Sequence, residues 1–133
     1  MSTNSFLASV ERIFRQHGWG PEVSPASLLR DWSLFVEDCE TGYSDNIYEY
    51  YNDIRVREWI ELILSAPELQ QFPELKEFAS NLLPIDRRFQ ALLLPDVSLP
   101  KSFWWEKGVL RYAGQELKDD LMNSYGIKIE HVK

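Results

Sequence analysis

Apolar residues recur at helical spacing along most of the chain. Phe6, Leu7, Val10, Ile13 and Phe14 share one side of a 3.6-residue period, with Thr3 and Asn4 available as caps and Gly18 as a stop. A helix over 5–17 is predicted, followed by the turn-forming run Gly18-Trp19-Gly20-Pro21. Ser24-Pro25 then combines an N-cap residue with a proline at the first helical position, where a missing N–H costs nothing. Leu28, Leu29, Trp32, Phe35, Val36 and Cys39 form the apolar stripe of this second helix, and Gly42 ends it.

A third helix is predicted over 44–64, capped by Ser44, with Asp45 in the first turn where the helix dipole favours negative charge. Its Glu49, Asp53, Arg57 and Glu61 recur every four residues and read as one exposed stripe, with Asp53–Arg57 and Arg57–Glu61 as ion pairs. Each such pair contributes only about 0.3–0.5 kcal/mol, so the stripe marks orientation more than stability. Residues 67–72 read as a short turn or helix. Pro73 opens a fourth helix carrying Leu75, Phe78, Ala79, Leu82 and Leu83, and Pro84 is predicted to break or kink it before Ile85, Phe89, Leu92 and Leu93 resume the pattern. Pro95 and Pro100 mark a loop that Phe103-Trp104-Trp105 pins to the bundle. A last helix over 115–125 is closed by Gly126. The alternation of Ile127-Lys128-Ile129-Glu130-His131-Val132-Lys133 is that of a strand, which needs a partner such as residues 109–112 or another chain. The predicted fold is mainly α: a single domain over 1–133, a bundle of about five helices with a short C-terminal strand or β-hairpin.

Composition fits that reading. Hydrophobic residues make up 44% of 133 and aromatics 14%, enough for a real core and incompatible with a disordered or collagen-like chain. Cys39 is the only cysteine, so no intramolecular disulfide forms and a reducing compartment is expected. The first residues lack a basic segment followed by an apolar run, so no secretory leader is expected. The longest apolar run, Ala91-Leu92-Leu93-Leu94, falls far short of the roughly 18 residues of a membrane span. The expected location is cytoplasmic, with no membrane partner.

Catalytic constellations are scarce. His17 and His131 stand near opposite ends, and neither has a helical partner at metal-ligand spacing. There is no glycine-rich phosphate loop. Cys39 lies on the apolar stripe and reads as a small buried thiol rather than a nucleophile. Asp119-Asp120 reads as a solvated helix face. No catalytic residue, metal or cofactor is predicted, and an enzyme is not expected. Of the tryptophans, Trp104-Trp105 leaves two readings open, packing for both rings or one surface anchor, because adjacent residues on a turn point in different directions.

Charge discriminates further between partners. The net charge of -7 disfavours nucleic acid, whose binding needs cations to displace counterions. The excess is local: residues 37–53 hold Glu37, Asp38, Glu40, Asp45, Glu49 and Asp53 with no Lys or Arg. The same window holds Tyr43, Tyr48, Tyr50 and Tyr51, four of the six tyrosines. One reading is a solvated helix start whose tyrosines pack inward. The other is an interface for a basic partner, in which tyrosine supplies rigid area with a polar tip and carboxylates accept from Arg and Lys. On the second reading the contact residues are Asp38, Glu40, Tyr43, Asp45, Tyr48, Glu49, Tyr51, Asn52 and Asp53. Tyr48 and Tyr51 share a helix face and serve as anchors, whereas Tyr50 points to the core.

Ser44-Asp45-Asn46-Ile47-Tyr48, with Tyr50-Tyr51 just beyond, resembles the acidic, tyrosine-bearing recognition segment of the small helical immunity proteins that neutralise nuclease colicins. The chain departs from that family where Glu49 separates the tyrosines and where a long helix follows in place of a proline break. More loosely, the whole chain is similar to small acidic bacterial proteins of toxin–immunity loci, including contact-dependent inhibition systems. The resemblance implies a non-enzymatic cytoplasmic protein that binds a cognate basic toxin of nuclease type and covers its active site or substrate path. The alternative is a structural or adaptor subunit that joins a larger bacterial assembly through the same surface and the C-terminal strand.

Overall fold

A computed structural model describes residues 2–18 and 23–132. Its helices are α1 (Ser2–Gln16), α2 (Pro25–Thr41), α3 (Ile47–Ser65), α4 (Pro73–Gln90), the single turn α5 (Trp104–Lys107) and α6 (Gln115–Tyr125). A 3-10 turn, Pro67–Leu69, joins α3 to α4, and the strands β1 (Tyr112–Ala113) and β2 (Glu130–His131) flank α6. The mainly helical expectation therefore holds, and among the described residues no helix is long and apolar enough to cross a membrane.

The centre is α2, which packs on both α3 and α4. Its N-terminus is held by a reciprocal cap: Ser24 Oγ accepts the Ser27 N–H at 3.1 Å, and the Ser24 N–H donates to Ser27 Oγ at 2.9 Å. Pro25 occupies the first turn and Gly42 the C-cap, as the sequence predicts. Trp32, Val36 and Cys39 are wholly buried along the inner stripe. Burial and then the nearby Asp38, Asp53 and Glu40 carboxylates push the Cys39 thiol well above its ordinary range, which suppresses the thiolate.

Helices α1, α3 and α4 depart from the sequence reading. Helix α1 begins at Ser2, so Thr3 and Asn4 lie inside it instead of capping it; residues 19–22 of the predicted connector lie outside the described residues. Helix α3 begins at Ile47, not at Ser44. Asn46 is its cap, with Oδ1 accepting the Glu49 N–H at 2.9 Å, while Asp120 Oδ2 from α6 accepts the Ile47 N–H at 2.9 Å. The second acceptor is 73 residues away in sequence, which is why no local pattern announced it, and it removes Asp120 from the solvated face predicted for it. Helix α4 runs unbroken through Pro84. Pro84 and Ser80, whose carbonyl loses its partner, both lie on the exposed side of α4, and Leu82, Asp86 and Phe89 bury the other.

The C-terminal strand pairs with Tyr112 and Ala113 in parallel, Tyr112 opposite Glu130 and Ala113 opposite His131. A hairpin is thereby excluded: parallel strands need a crossover, and α6 is that crossover. Upstream, Leu93 and Leu110 form an antiparallel bridge that ties the loop after α4 to the same ribbon.

The largest departure concerns Arg57, read as part of an exposed stripe. It is 4% exposed. Its Nε and Nη2 donate to the two Asp86 oxygens at 2.9 Å each, Nη1 donates to Glu61 at 3.0 Å, and the guanidinium lies 4.6 Å from the Trp105 ring centroid. Asp86 also accepts the Trp32 indole N–H at 2.9 Å. The Arg57–Glu61 pair exists, but Asp53 makes no pair with Arg57. A buried guanidinium needs such full compensation, and α4 supplies it across the bundle. Trp105 is buried against this group and stacks on Phe103 with centroids 4.5 Å apart, while Trp104 is half-buried. Packing therefore claims Trp105, and Trp104 keeps part of its ring at the surface.

Candidate functional site

The structure divides the tyrosines of the acidic window. Tyr50 is buried among Phe35, Tyr43 and Tyr51, as expected of an inward position. Tyr43 is also buried. Its hydroxyl donates to Asp53 Oδ2 at 2.7 Å, and burial followed by that hydrogen bond pushes its pKa far up. Tyr51 is half-buried, with the Lys101 ammonium 4.5 Å from its ring centroid. Tyr48 alone stands in water, 82% exposed. Tyr48 and Tyr51 are thus not a matched pair of free anchors.

The carboxylates divide as well. Glu40 forms a forked pair with Arg88, at 2.7 and 3.2 Å, which holds its pKa below the ordinary carboxylate range. It is engaged within the fold. Asp38, Asp45 and Asp53 make no ion pair among the described residues. Glu49 and Asn52 are exposed on α3.

What gathers Asp38, Asn52 and Asp53 is a groove of about 390 Å³ between α2 and α3. Asp31 joins the acids there, and Leu34, Phe35, Val56 and Trp59 supply an apolar floor. Leu34 is 51% exposed, a large apolar side chain left at the water boundary. A smaller hollow of about 190 Å³ continues past Asp38 and Asp53 to Tyr43, Ser44 and Asp45. No Lys or Arg lines either space among the described residues. The result is a one-signed, partly apolar trough, whose low-dielectric walls focus a negative field outward.

Five residues of the α2–α3 groove, Asp31, Leu34, Phe35, Val56 and Trp59, are absent from the sequence-based set. Their signal lies in spacing: Asp31, Leu34 and Asp38 fall at i, i+3 and i+7 on α2, and Asn52, Val56 and Trp59 at i, i+4 and i+7 on α3. Each series is one helix face, and the two faces meet once α2 and α3 pack. No cluster of three or more His, Cys, Asp or Glu residues suited to a metal forms among the described residues. No family model, curated protein or solved structure matches the chain.

Proposed function

We propose that the chain is a non-enzymatic binding protein that takes a basic protein surface into the α2–α3 trough, and that its partner is a cognate toxin, so that it acts as an immunity protein. The observation that carries this reading is the set of carboxylates Asp38, Asp45 and Asp53, which make no ion pair among the described residues, around an apolar floor that no Lys or Arg lines; of the trough acids Asp31 alone pairs, with Arg30 at 3.7 Å. Carboxylates held on rigid helices accept charge-assisted bonds from Arg or Lys, and Leu34 and Trp59 give the aliphatic stems of those side chains a surface to lie on. Tyr48, one turn before Asn52 on α3, adds a rigid amphipathic ring of the kind that anchors interfaces.

A nuclease-type toxin fits as the partner because its substrate path must be basic to hold phosphates, and a protein that occupies that path mimics the substrate's charge. Inhibition then requires only tight association. Co-expression with the toxin encoded beside this chain tests the reading: cells are expected to survive and the two proteins to co-purify. Loss of both with a folded chain present would overturn it. Asp38→Asn combined with Tyr48→Ala should abolish protection at matched expression.

A further inference from the structure

A cavity of about 600 Å³ that shares no lining residue with the acidic trough lies beside the parallel strand pair. Arg111, Lys118, Lys128 and His131 line it, against a single acid, Glu130. The rest of the sequence carries 11 Lys and Arg against 20 Asp and Glu, so three cations around one cavity run against the charge of the molecule. Among the described residues, none of Arg111, Lys118 and Lys128 makes an ion pair or a side-chain hydrogen bond. Like charges brought together without partners repel one another, and an anion bound between them removes that cost.

The fold holds this arrangement in place. Arg111 immediately precedes β1, Lys118 stands on α6, Lys128 lies just before β2 and His131 within it. The Glu130 N–H donates to the Arg111 carbonyl at 3.0 Å and the Val132 N–H to the Ala113 carbonyl at 2.9 Å, fixing β2 against β1. The remaining wall is apolar, formed by Leu94, Ile129 and the Tyr112 ring, whose hydroxyl is committed to the Glu40 carbonyl at 2.7 Å.

We infer that this cavity is a binding site for a small organic phosphate, with Arg111, Lys118, Lys128 and His131 holding the phosphate and Leu94, Ile129 and Tyr112 contacting its organic body. Arginine grips phosphate through a planar fork and lysine as a point charge. The volume falls within the roughly 300–1,000 Å³ of small-molecule sites. An extended polyanion is disfavoured because the acidic remainder of the surface repels it, and because the cations cluster around one open cavity and do not form a stripe.

Isothermal titration of the full chain with ADP, pyrophosphate and inorganic phosphate tests the inference. ADP is expected to bind, and more tightly than inorganic phosphate, because only ADP uses the apolar wall. Arg111→Ala and Lys128→Ala should each weaken ADP by tenfold or more while leaving the melting temperature of the free protein unchanged, whereas Asp38→Asn should have no effect. Absence of ADP and pyrophosphate binding at millimolar concentration would overturn the proposal, as would equal ADP binding by the Arg111→Ala chain. A single-stranded oligonucleotide binding more tightly than ADP through the same residues would overturn the small-molecule assignment.

Discussion

Tyr50 is the residue at which packing and polarity conflict most directly. Its ring is enclosed by three aromatic neighbours, yet its hydroxyl is buried without a hydrogen-bond partner. Burying an unpaired hydroxyl costs about 1–3 kcal/mol, so Tyr50→Phe is expected to keep or raise stability, by about 1 kcal/mol. Tyr50→Ala should lose about 3–5 kcal/mol, because it empties the aromatic cluster. Urea denaturation separates the two outcomes. The opposite case is Arg57, whose every partner is placed. Asp86→Ala leaves its guanidinium buried with Glu61 as its one carboxylate and should destabilise by about 3–5 kcal/mol, whereas replacing both residues, as Arg57→Met with Asp86→Leu, should recover only part of that loss, because the buried Trp32 indole N–H still lacks its acceptor. A loss below about 1 kcal/mol for Asp86→Ala would contradict the burial assigned to this pair. The inward positions of Tyr50 and Cys39 were legible from helical spacing alone. The burial of Arg57 was not: its i+4 neighbours offered exposed ion pairs, while its true partner lies 29 residues on, in another helix.

Helix ends show the same division between local and distant causes. The α2 cap is written in adjacent residues, Ser24, Pro25 and Ser27, and could be read directly. The α3 start rests on the local Asn46 cap together with the distant Asp120, and the cap lies two residues beyond the expected Ser44. Gly42 combines both kinds of cause. Its φ of 116° is one that L side chains rarely adopt, and a Cβ there would meet Val132 Cγ1 at 2.0 Å. Gly42→Ala is therefore expected to cost about 1–3 kcal/mol. Adding Val132→Ala should relieve the clash but not the backbone strain, so the double variant should recover only part of the lost melting temperature. Full recovery would place the whole cost in the clash. The glycine stop was visible in the sequence, but its contact with the C-terminal segment was not, because the parallel pairing of β2 is set by α6 as crossover.

Across the whole molecule, the formal charge of -7 conceals two opposite surfaces. The acidic trough lies between α2 and α3, and a cavity lined by three cations lies beside the C-terminal strands. The clustering of acids in residues 37–53 was plain in the sequence; which of them face the trough was decided by packing, which engaged Glu40, buried Tyr43 and brought in Asp31, Leu34, Phe35, Val56 and Trp59. The trough is proposed to capture a basic partner. The most direct measurement is the association rate of the purified chain with the toxin proposed as its partner across a salt series, because screening shortens the reach of charge to about 8 Å at physiological ionic strength. The rate should fall steeply as salt rises, and Asp38→Asn with Asp53→Asn should flatten that slope, since both substitutions remove charge while the amide oxygen introduced at the second position can still accept from Tyr43. Tyr48→Ala should instead speed dissociation, by the equivalent of about 2 kcal/mol. An association rate indifferent to salt, with unchanged affinity in the folded Tyr48→Ala and Asp38→Asn variants, would contradict the claim.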